Sequence, residues 1–188
     1  DRRQRQMCIR DRYLFLDGAR LGYGLAAPDN DLTLPDIAAL CDVFYIGGTK
    51  VGALFGEAVV IKNPELAQDF RYLIKQNGGM LAKGRLLGLQ FDALFTDGLY
   101  QVISAHAIAM AEKLREAFTA KGYTYLAPNR TNQIFVIVPD AHLAKISEQF
   151  EYSYDQRIDA THSCVRFCTG WATREENVDA LIRCVEKL

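Results

Sequence analysis

Two short apolar segments, each running into a glycine-bearing turn with a charge, constrain this chain more than anything else in it. Tyr13-Leu14-Phe15-Leu16 leads into Asp17-Gly18-Ala19-Arg20, and Asp42-Val43-Phe44-Tyr45-Ile46 leads into Gly47-Gly48-Thr49-Lys50. Short continuous apolar runs rich in aromatic and β-branched residues read as buried strands. Between them, Ala26-Ala27-Pro28-Asp29-Asn30-Asp31 has the composition of a loop. Thr33-Leu34-Pro35-Asp36-Ile37 then carries helix-start signals: a capping hydroxyl, a proline in the first turn and an acid at the positive end of the dipole. Strand, helix, strand is the unit of an α/β sheet, and ligands of such sheets gather at the carboxyl ends of strands. Asp17 and Lys50 are therefore expected at one crevice.

A carboxylate and a lysine delivered together match the needs of pyridoxal 5'-phosphate (PLP). That cofactor is held as a Schiff base on a lysine, and a carboxylate keeps its pyridine nitrogen protonated so that the ring acts as an electron sink. By spacing alone, the same pair also fits a turn-forming aspartate and a solvated loop lysine. The surrounding residues are more specific. Leu-Asp-Gly-Ala-Arg-Leu-Gly from Leu16, and Asp-Val-Phe-Tyr-Ile-Gly-Gly-Thr-Lys-Val-Gly-Ala-Leu-Phe-Gly-Glu-Ala from Asp42, closely resemble the threonine aldolase and aromatic amino acid β-eliminating lyase family. These are PLP-dependent enzymes of the aspartate-aminotransferase fold (fold type I).

The resemblance runs from about Tyr13 to the C-terminus. It implies that Lys50 is the Schiff-base lysine, that Asp17 partners the pyridine nitrogen, and that Arg20 hydrogen-bonds near the cofactor's phenolic oxygen. It also implies an amino acid substrate and a homo-oligomer, dimer or tetramer. The expected fold is the C-terminal part of a fold-type I large domain (α/β, residues 13–95), then a linker helix and a small α+β C-terminal domain (96–188). Family members are longer and carry the aspartate near mid-chain, so the chain is expected to be the C-terminal half of a longer enzyme. Residues 1–12, dense in Arg, Gln and Asp with no apolar period, read as an artefactual or disordered tail.

Composition narrows the alternatives. With 188 residues, 49% hydrophobic, the chain is long enough to build a core, and a net charge of −1 gives no electrostatic case for nucleic acid or an acidic membrane surface. The apolar runs are too short for a membrane span, and the charged N-terminus lacks the apolar region of a signal peptide. Five cysteines, an odd number without regular spacing, suggest reduced thiols and a cytoplasmic setting. Cys164 and Cys168 have no second Cys/His pair to complete a metal site and read as packing residues.

Further along, Phe55 to Ile61 is expected as a third strand. A helix should open at Pro64-Glu65 and run through Phe70, Leu73 and Ile74 to a break at Asn77-Gly78-Gly79-Met80. A long helix from Phe95 or Asp97 to Lys121 places Leu99, Ile103, Ala107, Met110, Leu114 and Phe118 on one stripe, with Gly122 as its C-cap. In the resembling family such a helix joins the large domain to the small one. Ile134 to Val138 reads as a buried strand stopped by Pro139, His142 to Phe150 as a helix, and Cys164 to Thr169 as another strand. Thr173-Arg174-Glu175-Glu176 has the pattern of a capping box opening a last helix that buries Val178, Leu181, Ile182 and Val185.

Several other residues are candidates for chemistry. Gly47, Gly48, Gly52 and Gly56 cluster around Lys50, which suits close backbone approach to a ligand or a tight turn. The Thr49 hydroxyl is placed either to meet the cofactor phosphate or to satisfy local backbone. Arg166, mid-strand, is costly to bury without a carboxylate partner and offers the bidentate fork that matches one, so it is the candidate for the substrate α-carboxylate. The alternative is an edge-strand arginine facing water. Lys75, Lys83 and Arg85 flank Gly78-Gly79, where the family uses a basic residue on the phosphate of a neighbouring subunit. Asn132 and Gln133 fit either polar contacts or loop caps. His106 lies off the apolar stripe and is expected to be solvated.

The expected function is thus cleavage of the Cα–Cβ bond of β-hydroxy amino acids to glycine and an aldehyde. The alternatives are another PLP enzyme of this fold, a β-eliminating lyase or aminotransferase, or an inactive fragment.

Overall fold

The computed structural model describes residues 12–188, so the N-terminal run, apart from Arg12, lies outside the described residues. The chain divides into two compact units. The first comprises residues up to Leu25 together with Asn30–Gln101, and the second Ala26–Asp29 with Val102–Leu188.

In the first unit, β1 (Phe15–Leu16), α1 (Leu21–Leu25), α2 (Leu34–Leu40) and β2 (Val43–Gly47) form the expected strand-helix-strand unit. β1 pairs parallel to β2, with Phe15 opposite Val43, and β3 (Glu57–Ile61) pairs antiparallel to β2, with Gly47 opposite Glu57. At the start of α2, Asp36 N donates to Thr33 Oγ1 at 3.4 Å and Thr33 N donates to Asp36 Oδ2 at 2.8 Å. That is a reciprocal capping box, which fixes where the helix begins. Alternation along β2 buries Phe44 and Ile46 in a core that also holds Tyr23, Ile37, Val51 and Leu94.

Two expectations fail in this unit. β1 is not buried: Phe15 is 59% exposed, because β1 pairs only with β2 and stands at the edge of its sheet among the described residues. The helix after Pro64 is not continuous either. It splits into α3 (Pro64–Ala67) and α4 (Phe70–Gln76) at Asp69, whose left-handed φ of 56° breaks the ladder of hydrogen bonds. A further helix, α5 (Arg85–Phe95), was not foreseen.

The second unit is built on α6 (Leu99–Ala120), whose residues from Val102 belong to it, and on a four-stranded antiparallel sheet. The strands are β4 (Thr124–Tyr125), β5 (Gln133–Pro139), β6 (Ser153–Arg157) and β7 (His162–Cys168), in the order β4-β5-β7-β6. α7 (Asp140–Ile146) and α8 (Glu175–Glu186) complete it. Strict alternation along β5 sends Ile134, Val136 and Val138 into the core, where they are fully buried. They share it with Met110, Leu114 and Phe118 of α6, Leu143 and Ile146 of α7, Val165 and Phe167 of β7, and Val178, Leu181 and Val185 of α8. α6 ends as expected: Gly122 takes φ +82° and Tyr123 N returns to Phe118 O at 3.1 Å.

The capping box proposed for α8 is not formed. Its cap is Arg174, without a side-chain bond, and Thr173 Oγ1 instead accepts from Gly170 N at 2.8 Å. β6 is exposed along its whole length, which hid it from apolar periodicity. Cys164 is buried as expected, but Cys168, at the strand end, is exposed; neither is in a disulfide. Among the described residues, no helix is long and apolar enough to cross a membrane.

Phe118 has no exposed surface and packs its ring 5.3 Å from that of Phe167 and 5.8 Å from that of Tyr123. Phe118→Ala is expected to destabilise the second unit by about 3–5 kcal/mol, the usual cost of emptying an aromatic site in a core. Denaturant unfolding followed by far-UV circular dichroism measures this.

Candidate functional site

Both charges lie just past the strand ends that were expected to carry them. Asp17 follows β1 directly, and Lys50 sits in a 3-10 turn, Thr49–Val51, after β2. The two turns touch through backbone: Gly47 N donates to Gly18 O at 2.9 Å, and Leu21 N donates to the same oxygen at 3.0 Å. A Cβ on Gly18 would stand 1.6 Å from Tyr45 O, and one on Gly47 would stand 2.4 Å from Ala19 O. No side chain fits at either position, so glycine there is a condition of the two turns meeting.

Two buried tyrosines lock this junction. Tyr100 Oη accepts from Gly22 N at 3.0 Å and donates to Gly47 O at 3.2 Å, which ties the segment after Asp17 to the segment before Lys50. Burial pushes the pKa of Tyr100 up to about 12, so the hydroxyl keeps its proton and its donor role. Tyr23, 1% exposed, donates its hydroxyl to the carbonyl of Lys50. Glu57 adds a third tie, with Oε2 accepting from Gly48 N at 2.7 Å. Gln90 Oε1 accepts from Leu54 N at 2.6 Å and Phe55 N at 3.3 Å, which steadies the loop beyond Lys50. The Lys50 side chain itself is exposed. Its backbone is held while its side chain reaches solvent.

Asp17 is held in its charged form. The Tyr45 hydroxyl donates to Oδ1, and Ala19 N donates to the same oxygen at 3.0 Å. These bonds, the tyrosine's first, draw the Asp17 pKa below the ordinary carboxylate value, with smaller pulls from the charges of Lys50 and Arg20. Among the described residues nothing bonds Oδ2. Arg20 follows, with its Nε buried and without a partner among the described residues. The Thr49 hydroxyl points to Glu57 Oε1 at 3.4 Å, a carboxylate partner that was not among its expected ones.

Arg166 lies in the second unit, on β7, between β5 and β6. It is therefore not the edge-strand residue of the alternative reading. Its Nη1 donates to Gln133 Oε1 at 3.2 Å and its Nη2 to Ser153 Oγ at 3.5 Å, while its Nε is buried without a partner among the described residues. It lines a cleft of about 380 Å³ with Ser153, Thr169, Thr173 and Asn177 among others. Among the described residues Arg166 is bonded only to neutral groups and has a spare donor, which equips it to take a carboxylate. Asn132 is 2% exposed and donates to Thr169 O at 2.6 Å, so it braces the end of β7.

Of the basic cluster, Arg85 lines a separate cleft in the first unit with Arg71 and Glu57, whereas Lys75 and Lys83 do not. His106 is not simply solvated: it is half-buried and its Nε2 meets Thr173 O at 2.8 Å. Among the described residues no cluster of three or more His, Cys, Asp or Glu is arranged to hold a metal ion. Sequence reasoning did not single out Tyr23, Tyr45, Tyr100, Glu57 or Gln90. The signal available for Tyr45 was its alternation with buried Phe44 and Ile46, which puts it on the opposite face of β2.

The residues present fit PLP. Among the described residues, an ionised carboxylate with one oxygen unbonded suits a pyridinium, an exposed lysine side chain suits the cofactor aldehyde, and a buried guanidinium nitrogen without a partner suits a phenolic oxygen. Tyr100→Phe removes the hydroxyl that serves Gly22 N and Gly47 O, leaving both without that partner. Urea unfolding should show the chain destabilised by about 1–3 kcal/mol, the cost of orphaning buried backbone groups.

No family model matches the chain. A curated low specificity L-threonine aldolase from a Pseudomonas species is 30% identical over 172 residues, which span 89% of this chain and 48% of that enzyme. The structure of Leishmania major threonine aldolase superposes with a TM-score of 0.95 at 40% identity, over 98% of this chain and 54% of that one. Serine palmitoyltransferase from Sphingomonas wittichii, 14% identical, shares the fold with a TM-score of 0.65, over 97% of this chain and 49% of that one. The chain thus spans about half the length of the relatives it matches, and the matched part is their C-terminal half. In sequence and in structure it is a homologue of the threonine aldolases, with the fold of the PLP-dependent fold-type I enzymes.

Proposed function

We propose that this chain carries the cofactor-anchoring part of a PLP-dependent lyase that cleaves the Cα–Cβ bond of β-hydroxy amino acids to give glycine and an aldehyde. The observation that carries this reading is the backbone junction that brings Asp17 and Lys50 to neighbouring turns, in a chain 40% identical to a threonine aldolase of known structure. Lys50 Nζ is the group that would hold the cofactor. Asp17 Oδ2 would accept the ring N–H, and Arg20 Nε would donate to the phenolic oxygen. Thr49, beside Lys50, remains a contact for the phosphate. When bound, the cofactor supplies a sink for the electron pair released as a bond at the substrate Cα breaks.

Arg166 would grip the substrate α-carboxylate through its bidentate fork and so fix which bond at Cα is aligned for cleavage. Exposed apolar side chains in the first unit, among them Leu54 at 85% and Tyr72 at 73%, support a homo-oligomer. The described cysteines, all free of disulfides, support a cytoplasmic setting.

The test is an absorbance titration with PLP, followed by an assay for aldehyde released from L-threonine and L-allo-threonine. A visible band that disappears in Lys50→Ala, together with aldehyde release that the variant lacks, is the expected result. Transfer of the amino group to a 2-oxo acid without any aldehyde would make the protein an aminotransferase instead. In the active enzyme, Arg166→Lys should raise KM by about tenfold or more, since lysine keeps the charge but loses the fork. The Lys50-dependent band should be unchanged in that variant; a lost band would make Arg166 a structural residue.

A further inference from the structure

We propose that Tyr45 is a positioning residue for Asp17, one that occupies a single carboxylate oxygen and so presents the other to the ring nitrogen of the cofactor; this rests on the PLP reading above. β1 and β2 run parallel with Phe15 opposite Val43 and Leu16 opposite Phe44. Carrying that register one step past β1 sets Asp17 opposite Tyr45, on the same sheet face. The Phe15 ring lies on that face too, with its centroid 6.1 Å from that of Tyr45, and it limits where the phenol can swing. The Tyr45 hydroxyl and Ala19 N both donate to Oδ1.

Two donors on one oxygen have two consequences. Rotation of the carboxylate about its Cβ–Cγ bond would break both bonds at once, so Oδ2 keeps one direction. Donation also weakens the carboxylate as a base, so a proton shared between Asp17 and a pyridine nitrogen resides on the nitrogen. The charged groups around the pair are Lys50 and Arg20 beside Asp17, and Glu57 on the side of Tyr45. None of them is a neutral donor that would replace the phenol. The same bond raises the tyrosine above its ordinary pKa, which keeps the phenol a donor at neutral pH.

The test uses Tyr45→Phe, which removes the hydroxyl and keeps the ring against Phe15, with Asp17→Asn as the reference variant. In the chain without cofactor, carbon-13 NMR of the Asp17 carboxyl should show its titration moving to higher pH in Tyr45→Phe. PLP affinity, read from the Lys50-dependent absorbance band, should fall about three- to tenfold in Tyr45→Phe and further in Asp17→Asn. The pH dependence of the band should shift as well, which simple loosening of the sheet would not produce. If Asp17→Asn weakens the band while Tyr45→Phe leaves titration, affinity and pH profile as in the parent, Tyr45 has no positioning role and the cofactor site stands. If the parent chain gives no Lys50-dependent band, the PLP reading fails and takes this proposal with it.

Discussion

The hydrogen bond from Gly47 N to Gly18 O is the contact on which the candidate site depends. It joins the ends of two parallel strands, and backbone bonds have fixed geometry, so it sets the separation of the turns that carry Asp17 and Lys50. Any side chain at Gly18 would collide with the carbonyl of Tyr45. The glycines near the charges therefore act on the strand junction before they act on any ligand. Tyr100 strengthens the same junction from a helix, with one hydroxyl serving a donor on one segment and an acceptor on the other. A hydroxyl can do this because it both donates and accepts, and burial keeps its proton in place.

What was legible in the sequence follows from what periodicity and turn chemistry encode. β2, β5 and α6 stood out because each has one apolar face against a core, and the cap at Thr33 stood out because its donors and acceptors are local. β6 was invisible: Ser-Tyr-Asp-Gln-Arg buries nothing, and only its ladder with β7 makes it a strand. α5 was obscured by Gly84 and Gly88, which lower local helix propensity, although Leu87, Phe91 and Leu94 keep a helical period. The break at Asp69 had no glycine or proline to announce it. At Thr173, the sequence pattern of a capping box lost to a tertiary alternative, the bond from Gly170 N.

At the site the division is similar. Asp17, Arg20 and Lys50 were legible through charge and through likeness to a family. The residues that support them were not, because tyrosine inside an apolar run reads as packing. Tyr45 lies in Val-Phe-Tyr-Ile-Gly and Tyr100 in a long amphipathic helix, and nothing in either context marks the hydroxyl as the working end. Their roles depend on strand register and on contacts with residues far away in sequence. Arg166 is the intermediate case. Its charge within an apolar strand was visible, but that β7 is an inner strand, so that the arginine is not solvated at an edge, required the sheet order.

One pattern runs through the described residues of the first unit: backbone is held firmly, while several side-chain atoms of the candidate site have no partner. Lys50 has its carbonyl bonded by Tyr23, and Gly48 beside that turn is bonded by Glu57, yet its amine is exposed. Among the described residues, Asp17 has one oxygen doubly bonded and the other without a partner. Arg20 has a buried nitrogen with no acceptor among the described residues. An unpaired buried donor is unfavourable in a chain that only needs to fold, costing about 1–3 kcal/mol. In the proposed reading a cofactor completes these atoms, and it gains its contacts without first ordering the groups that make them.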